Sequence, residues 1–93
     1  MSWLHRFRSR RELATLTLYT GPGCSLCETV KAELTSIGAH RHFDLREVDV
    51  TTDRELKKRY GLSIPVLELN GELLFSGKID PAELRRALET ART

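Results

Sequence analysis

Nowhere does this sequence gather the roughly 20 consecutive apolar residues that a membrane-crossing helix requires, so no span is expected. A secretory signal is missing as well. The N-terminus, Met1-Ser2-Trp3-Leu4-His5-Arg6-Phe7-Arg8, is interrupted by arginines before an apolar core can form. A cytoplasmic location is therefore expected, although an Arg-rich segment whose only acid is Glu12 leaves a mitochondrial presequence open. Cysteine is scarce, with two residues at close spacing. Secreted domains that lean on disulfides usually carry four or more cysteines at wider spacing, which excludes a stapled scaffold. No repeat or low-complexity tract is present. A basic folded surface is missing too: residues 1–12 carry +3, and the remaining residues sum to −1 within a net charge of +2. Nucleic-acid binders spread Lys and Arg over a folded face, so no nucleic-acid partner is expected.

What is present suits one small domain. Ninety-three residues are enough to bury a single core and too few for two. The division expected is a basic N-terminal extension over 1–12, with Trp3, Leu4 and Phe7 as its apolar residues, and a folded domain over 13–93. Leu13 to Thr20 alternates apolar and polar residues and reads as a strand. Gly21-Pro22-Gly23 breaks it. Cys27, Val30, Leu34 and Ile37 then recur at helical spacing, and Gly38 supplies a helix stop. Phe43 to Val50 reads as a second strand. Thr52 and Glu55 have capping-box spacing and open a short helix through Tyr60, closed by Gly61. Val66 to Leu69 and Glu72 to Phe75 flank Asn70-Gly71, a strong hairpin signal. Asp80-Pro81-Ala82-Glu83 starts a last helix, with Asp80 at the cap and Leu84, Ala87, Leu88 and Ala91 on its apolar face.

The order β-α-β-α-β-β-α predicts an α/β fold. A helix between the first two strands favours a parallel pair, and the Asn-Gly turn makes the last pair antiparallel. A four-stranded mixed sheet flanked by helices follows.

The two cysteines carry the chemistry. Cys24 falls at the N-cap of the first helix and Cys27 at its third residue. One turn brings their Cα atoms about 5–5.5 Å apart, within the range a disulfide tolerates. So short a loop is a poor staple and a plausible reversible switch. At the cap, the Cys24 sulfur is placed to accept from the free N–H groups of Leu26 and Cys27, and the helix dipole favours its thiolate. Its pKa is expected below the ordinary thiol value of about 8.5. Glu28 opposes that shift, and no basic residue lies between Tyr19 and Val30. Cys27 shares the apolar stripe and should be shielded, while Cys24 should be exposed. Cys24 is then the attacking nucleophile and Cys27 the resolving thiol. The alternative is a metal or iron–sulfur module using both thiolates across a dimer, since zinc normally takes four ligands and no second C-x-x-C exists. His40 and His42 lie past the helix end and are read as loop residues.

Tyr19-Thr20-Gly21-Pro22-Gly23-Cys24-Ser25-Leu26-Cys27 resembles the opening motif of glutaredoxins, and Ser63-Ile64-Pro65-Val66 is similar to the cis-proline loop of that family. On these two motifs, residues 13–91 resemble the glutaredoxin-like branch of the thioredoxin superfamily. The resemblance implies a thioredoxin-like fold and a dithiol oxidoreductase that reduces protein or small-molecule disulfides, passing electrons through the pair. It implies a cis peptide before Pro65 and substrate contacts from Ile64, Pro65 and Leu26. No bound cofactor or metal is implied, the working group being the redox-active disulfide itself. The partners implied are a disulfide-containing protein and an unidentified reductase or glutathione as electron source, with the chain a monomer. Glutathione users commonly carry a basic residue where Gly21 stands, Pro-Tyr where Ser25-Leu26 stands, and a Gly-Gly and acidic pair where only Gly77 and Asp80 remain. These departures count against glutathione use. The Trp-Cys-Gly-Pro-Cys of thioredoxins is also absent, Trp3 being the only tryptophan.

Overall fold

Alternation along Thr15–Thr20 (β1) buries Leu16, Leu18 and Thr20 on one side of the chain and leaves Tyr19 on the other. That period-two pattern is the one a strand shows when one of its faces is turned to a core. The computed structural model describes residues 13–92, and the sheet in it has the order β2-β1-β3-β4. The N-terminal extension, with Trp3, Leu4 and Phe7, lies outside the described residues. β2 (Asp44–Asp49) runs parallel to β1, with Leu16 opposite Leu45. β3 (Val66–Leu69) runs antiparallel on the other side of β1, and β4 (Glu72–Ser76) antiparallel to β3 at the edge. This is the mixed four-stranded α/β sheet that the element order predicts.

The hairpin between β3 and β4 turns on Asn70 and Gly71, both with positive φ (51° and 84°), as a tight two-residue turn requires. Asn70 also ties the hairpin to β1. Its Oδ1 accepts the Thr15 N–H at 2.9 Å, and its own N–H donates to the Thr15 carbonyl at 2.8 Å.

Helices α1 (Ser25–Ser36) and α3 (Pro81–Arg92) cover one face of the sheet. Their buried residues Val30, Leu34, Leu84 and Leu88 meet Leu16, Leu18, Leu67 and Phe43 in the main core. The first carbonyl of α3's ladder belongs to Asp80, which accepts the Leu84 N–H at 3.0 Å, the bond expected of a cap position. The seven-residue α2 (Arg54–Tyr60) covers the other face through a second, smaller cluster of Val50, Tyr60 and Val66, with Tyr19, Leu56 and Ile64 against it. No helix among the described residues is long and apolar enough to cross a membrane.

Three sequence expectations move. The first and second strands begin at Thr15 and Asp44, and the second ends at Asp49, because Val50–Thr52 winds into a 3-10 turn. That turn takes the place of the capping box read at Thr52 and Glu55. Asp53 is the cap of α2, its Oδ1 accepting the Glu55 N–H at 2.8 Å, and Asp49 caps the 3-10 turn in the same way through Thr51. Aspartates two residues before the groups they bind satisfy the free donors better placed than Thr52, whose hydroxyl donates back to the Asp49 carbonyl. Gly61 does close α2, but with right-handed backbone (φ −54°), so its small size rather than its conformational freedom is used there.

Candidate functional site

The turn after β1 lifts the chain off the sheet and delivers Cys24 to the start of α1. Gly23, at φ 71°, takes the left-handed conformation that lets this reversal occur immediately before the cap. Cys24 itself is extended (φ −96°, ψ 104°), the backbone of an N-cap, and its Sγ accepts the Cys27 N–H at 3.2 Å. Leu26 makes no such bond, so one of the two expected donors is engaged. The Cα atoms of Cys24 and Cys27 stand 5.2 Å apart, with the sulfurs at disulfide distance.

Burial separates the two sulfurs. Cys27 is wholly buried, at the head of the stripe it shares with Val30 and Leu34. Cys24 is half-buried rather than fully exposed. Leu26, between them, is 40% exposed. The nearest acid, Glu28 in the first turn, is partly neutralised by Lys31, whose Nζ lies 3.3 Å from Glu28 and 2.7 Å from Glu47 of β2. The hydrogen bond Lys31 donates to Glu47 first, then the one it donates to Glu28, holds its ammonium above the usual lysine range.

The loop from Gly61 to Pro65 forms the facing wall. The Ile64–Pro65 peptide is cis, as the resemblance implies, and the Pro65 side chain is fully buried. Ile64 is half-buried and reaches the turn before Cys24. A Cβ on Gly21 would stand 2.9 Å from the Ile64 Cδ1, so the glycine is what allows this close approach. The position where glutathione users carry a basic residue is thus occupied by a contact that a larger side chain would displace. Cys24, Cys27, Leu26, Ile64 and Pro65 therefore all belong to one end of the sheet. His40 and His42 do not join them. They lie in and just after the 3-10 turn Ala39–Arg41, at the far end of α1, roughly 18 Å of helix away. Among the described residues, no three His, Cys, Asp or Glu side chains are gathered as a metal ion would need.

Two features escape sequence reasoning. Thr20, at the end of β1 on the α1 face, is 4% exposed, and its hydroxyl has no hydrogen-bond partner among the described residues. A buried hydroxyl without a partner costs its desolvation, whereas an apolar isostere does not. Thr20→Val is therefore expected to raise the unfolding free energy by about 1 kcal/mol in urea melts; a loss of stability would show that the hydroxyl is engaged.

The second feature is the aromatic pair behind the site. Tyr19 and Tyr60 stack with ring centroids 4.1 Å apart, Arg59 lies over the Tyr60 ring, and the Tyr60 hydroxyl donates to Glu68 at 2.9 Å. Burial, then the bond to Glu68, pushes the Tyr60 pKa up to about 12 from 10.0. The folded state holds this proton more tightly than the unfolded chain does. The associated stability is complete below pH ~10 and is lost as pH rises towards about 12. Phenolate absorbance should show one of the two tyrosines ionising only near pH 12. Urea midpoints should fall over the same window, and Tyr60→Phe should lack that part of the decline.

The family model described as "Glutaredoxin-like domain (DUF836)" matches residues 15–89. A structural-genomics target protein from X. campestris has 31% identity and a TM-score of 0.66, over 82% of this chain and 97% of that one. A thioredoxin from Halobacterium salinarum superposes with a TM-score of 0.65 at 20% identity, over 86% of this chain and 75% of its own, which shows a thioredoxin-like fold. The "Gene 56 protein" of Mycobacterium phage L5 is 40% identical over 63 residues, covering 62% of this chain and 57% of the phage protein.

Proposed function

Since the chain belongs to the glutaredoxin-like domain family, we propose that it is a dithiol thiol–disulfide oxidoreductase acting on protein or small-molecule disulfides. The observation that carries this reading is the asymmetric pair. A half-buried Cys24 caps α1 with its sulfur on a backbone N–H, and a fully buried Cys27 lies behind it at disulfide distance.

The reaction divides accordingly. The Cys24 thiolate attacks a substrate disulfide, forming a mixed disulfide and expelling one substrate sulfur as a thiolate that takes up a proton. The Cys27 thiol then attacks the Cys24 sulfur. The Cys24–Cys27 bond forms, the mixed disulfide breaks, and the Cys27 proton goes with the second substrate thiol. The substrate gains two electrons and the pair loses them; an external thiol or dithiol returns them. The N–H at the cap and the helix dipole favour the Cys24 thiolate that makes the first attack. Ile64, packed on Gly21 in the turn before Cys24, offers backbone groups along which an extended substrate segment can lie, and the buried Pro65 fixes the loop that presents it.

The test is to reduce the chain, remove the reductant and offer it a disulfide-bonded protein such as insulin, then supply either glutathione or a thioredoxin reductase system as electron source. Stoichiometric oxidation of Cys24 and Cys27 is expected, with turnover restored by one of the two sources. A pair that stays reduced in the presence of the substrate would sink the proposal, as would a preparation whose two thiols are held by metal.

A further inference from the structure

The sequence of α2, Arg54-Glu55-Leu56-Lys57-Lys58-Arg59-Tyr60, places three consecutive basic side chains on its last turn. All three are exposed. None forms an ion pair with a described residue, although Arg59 lies over the Tyr60 ring. Cations at a helix end interact favourably with its carbonyls, but that leaves their charged groups open to solvent. Of the nearby acids, Glu68 accepts the Tyr60 hydroxyl, and Glu55, three and four residues before Lys58 and Arg59 on the same helix face, forms no ion pair with either.

This turn is mechanically joined to the site. Tyr60 stacks on Tyr19, two residues before Gly21, and the loop that leaves α2 reaches Ile64, which packs on Gly21. Between them Leu62 is fully exposed, a large apolar side chain with no intramolecular role. Cations, an apolar side chain and the cis-proline loop thus follow one another along the chain, from the last turn of α2 to the Ile64 contact with Gly21.

We infer that Lys57, Lys58 and Arg59, with Leu62, form a docking ridge for proteins whose reducible disulfide is flanked by acidic residues. The inference rests on the oxidoreductase reading and adds to it the substrate's charge. Uncompensated cations beside a site raise the encounter rate of anionic partners, and salt removes the advantage.

The experiment uses two disulfide-bonded peptides of equal length, one with Asp and Glu beside its cysteines and one with Lys. Each is mixed with the pre-reduced full-length chain, and oxidation of Cys24 and Cys27 is followed by acid quench and mass spectrometry. The acidic peptide should react roughly 10-fold faster at low salt, and the preference should shrink to about twofold at high salt. The K57E/K58E double variant should lose or invert the preference. Equal rates at low salt, a preference that salt does not touch, or one unchanged in the double variant would each overturn the ridge. The salt measurement needs no variant, so a misfolded double variant does not rescue the idea. If neither peptide is reduced, the ridge falls together with the oxidoreductase reading; if both react equally, the ridge falls alone.

Discussion

Replacing Cys24 by serine is expected to lower disulfide reduction by at least ~10³-fold, to the rate of the reaction without protein. The reason is chemical rather than structural. A serine hydroxyl at the cap would still accept the Cys27 N–H that Cys24 accepts at 3.2 Å, so α1 should form unchanged. What it lacks is a sulfur, whose thiolate can attack and exchange with a disulfide as an alcohol cannot. Cys27→Ser should behave differently. Cys24 can still attack, but nothing behind it can release the product, so the chain should accumulate a mixed disulfide visible as a covalent adduct in intact-mass spectra. The buried position of Cys27 sharpens the contrast, because a substrate sulfur cannot reach it directly. If Cys24→Ser traps the adduct and Cys27→Ser does not, the roles are reversed. If both variants retain activity, the pair is not the working group.

The legibility of this site in the sequence follows from how local its signals are. Cys24 at the cap and Cys27 one turn later are fixed by a glycine-rich break and a 3.6-residue apolar period, both confined to about a dozen residues. The hairpin was equally legible, since Asn70-Gly71 needs only the two positive φ values that these residues accept most readily. The capping of α2 was not. Thr52-x-x-Glu55 satisfies a motif, but Asp49 and Asp53 each offer a carboxylate to a free N–H two residues on, and these local bonds win. Asp49 is held below the usual carboxylate range mainly by the Thr51 hydroxyl, and then by its backbone N–H.

Features that depend on distant parts of the chain were hidden. Nothing in Gly21 announces that Ile64, more than forty residues later, will pack where its Cβ would be. The Tyr19–Tyr60 stack and the orphaned hydroxyl of Thr20 likewise arise only when β1, α2 and α1 are assembled. The cis peptide at Pro65 was reachable through family resemblance and not through composition, since an X–Pro bond on its own is cis only about 5–6% of the time. The departure from full exposure at Cys24 has the same origin: the helical pattern says which residue precedes the buried stripe, while how far that residue is covered depends on the assembled fold.

The largest stability effect is expected far from the sulfurs, at Phe43. This side chain is 1% exposed and joins the main core just before β2, where its N–H also donates to the Ala39 carbonyl at 3.0 Å. It therefore fastens the end of α1, through the 3-10 turn, to the sheet under α3. Phe43→Ala removes most of a ring from a close-packed interior, and such truncations cost about 3–5 kcal/mol. Native domains are stable by only about 5–15 kcal/mol, with small ones towards the lower end. The variant should thus unfold at a much lower urea concentration, with a measurable unfolded fraction in buffer. Phe43→Leu, which keeps most of the volume, should lose far less. Leu62→Ala, at a fully exposed position, should leave the midpoint within error. A loss below about 1 kcal/mol for Phe43→Ala would mean that the core collapses around the gap, and that α1 is held to the sheet by contacts other than this ring.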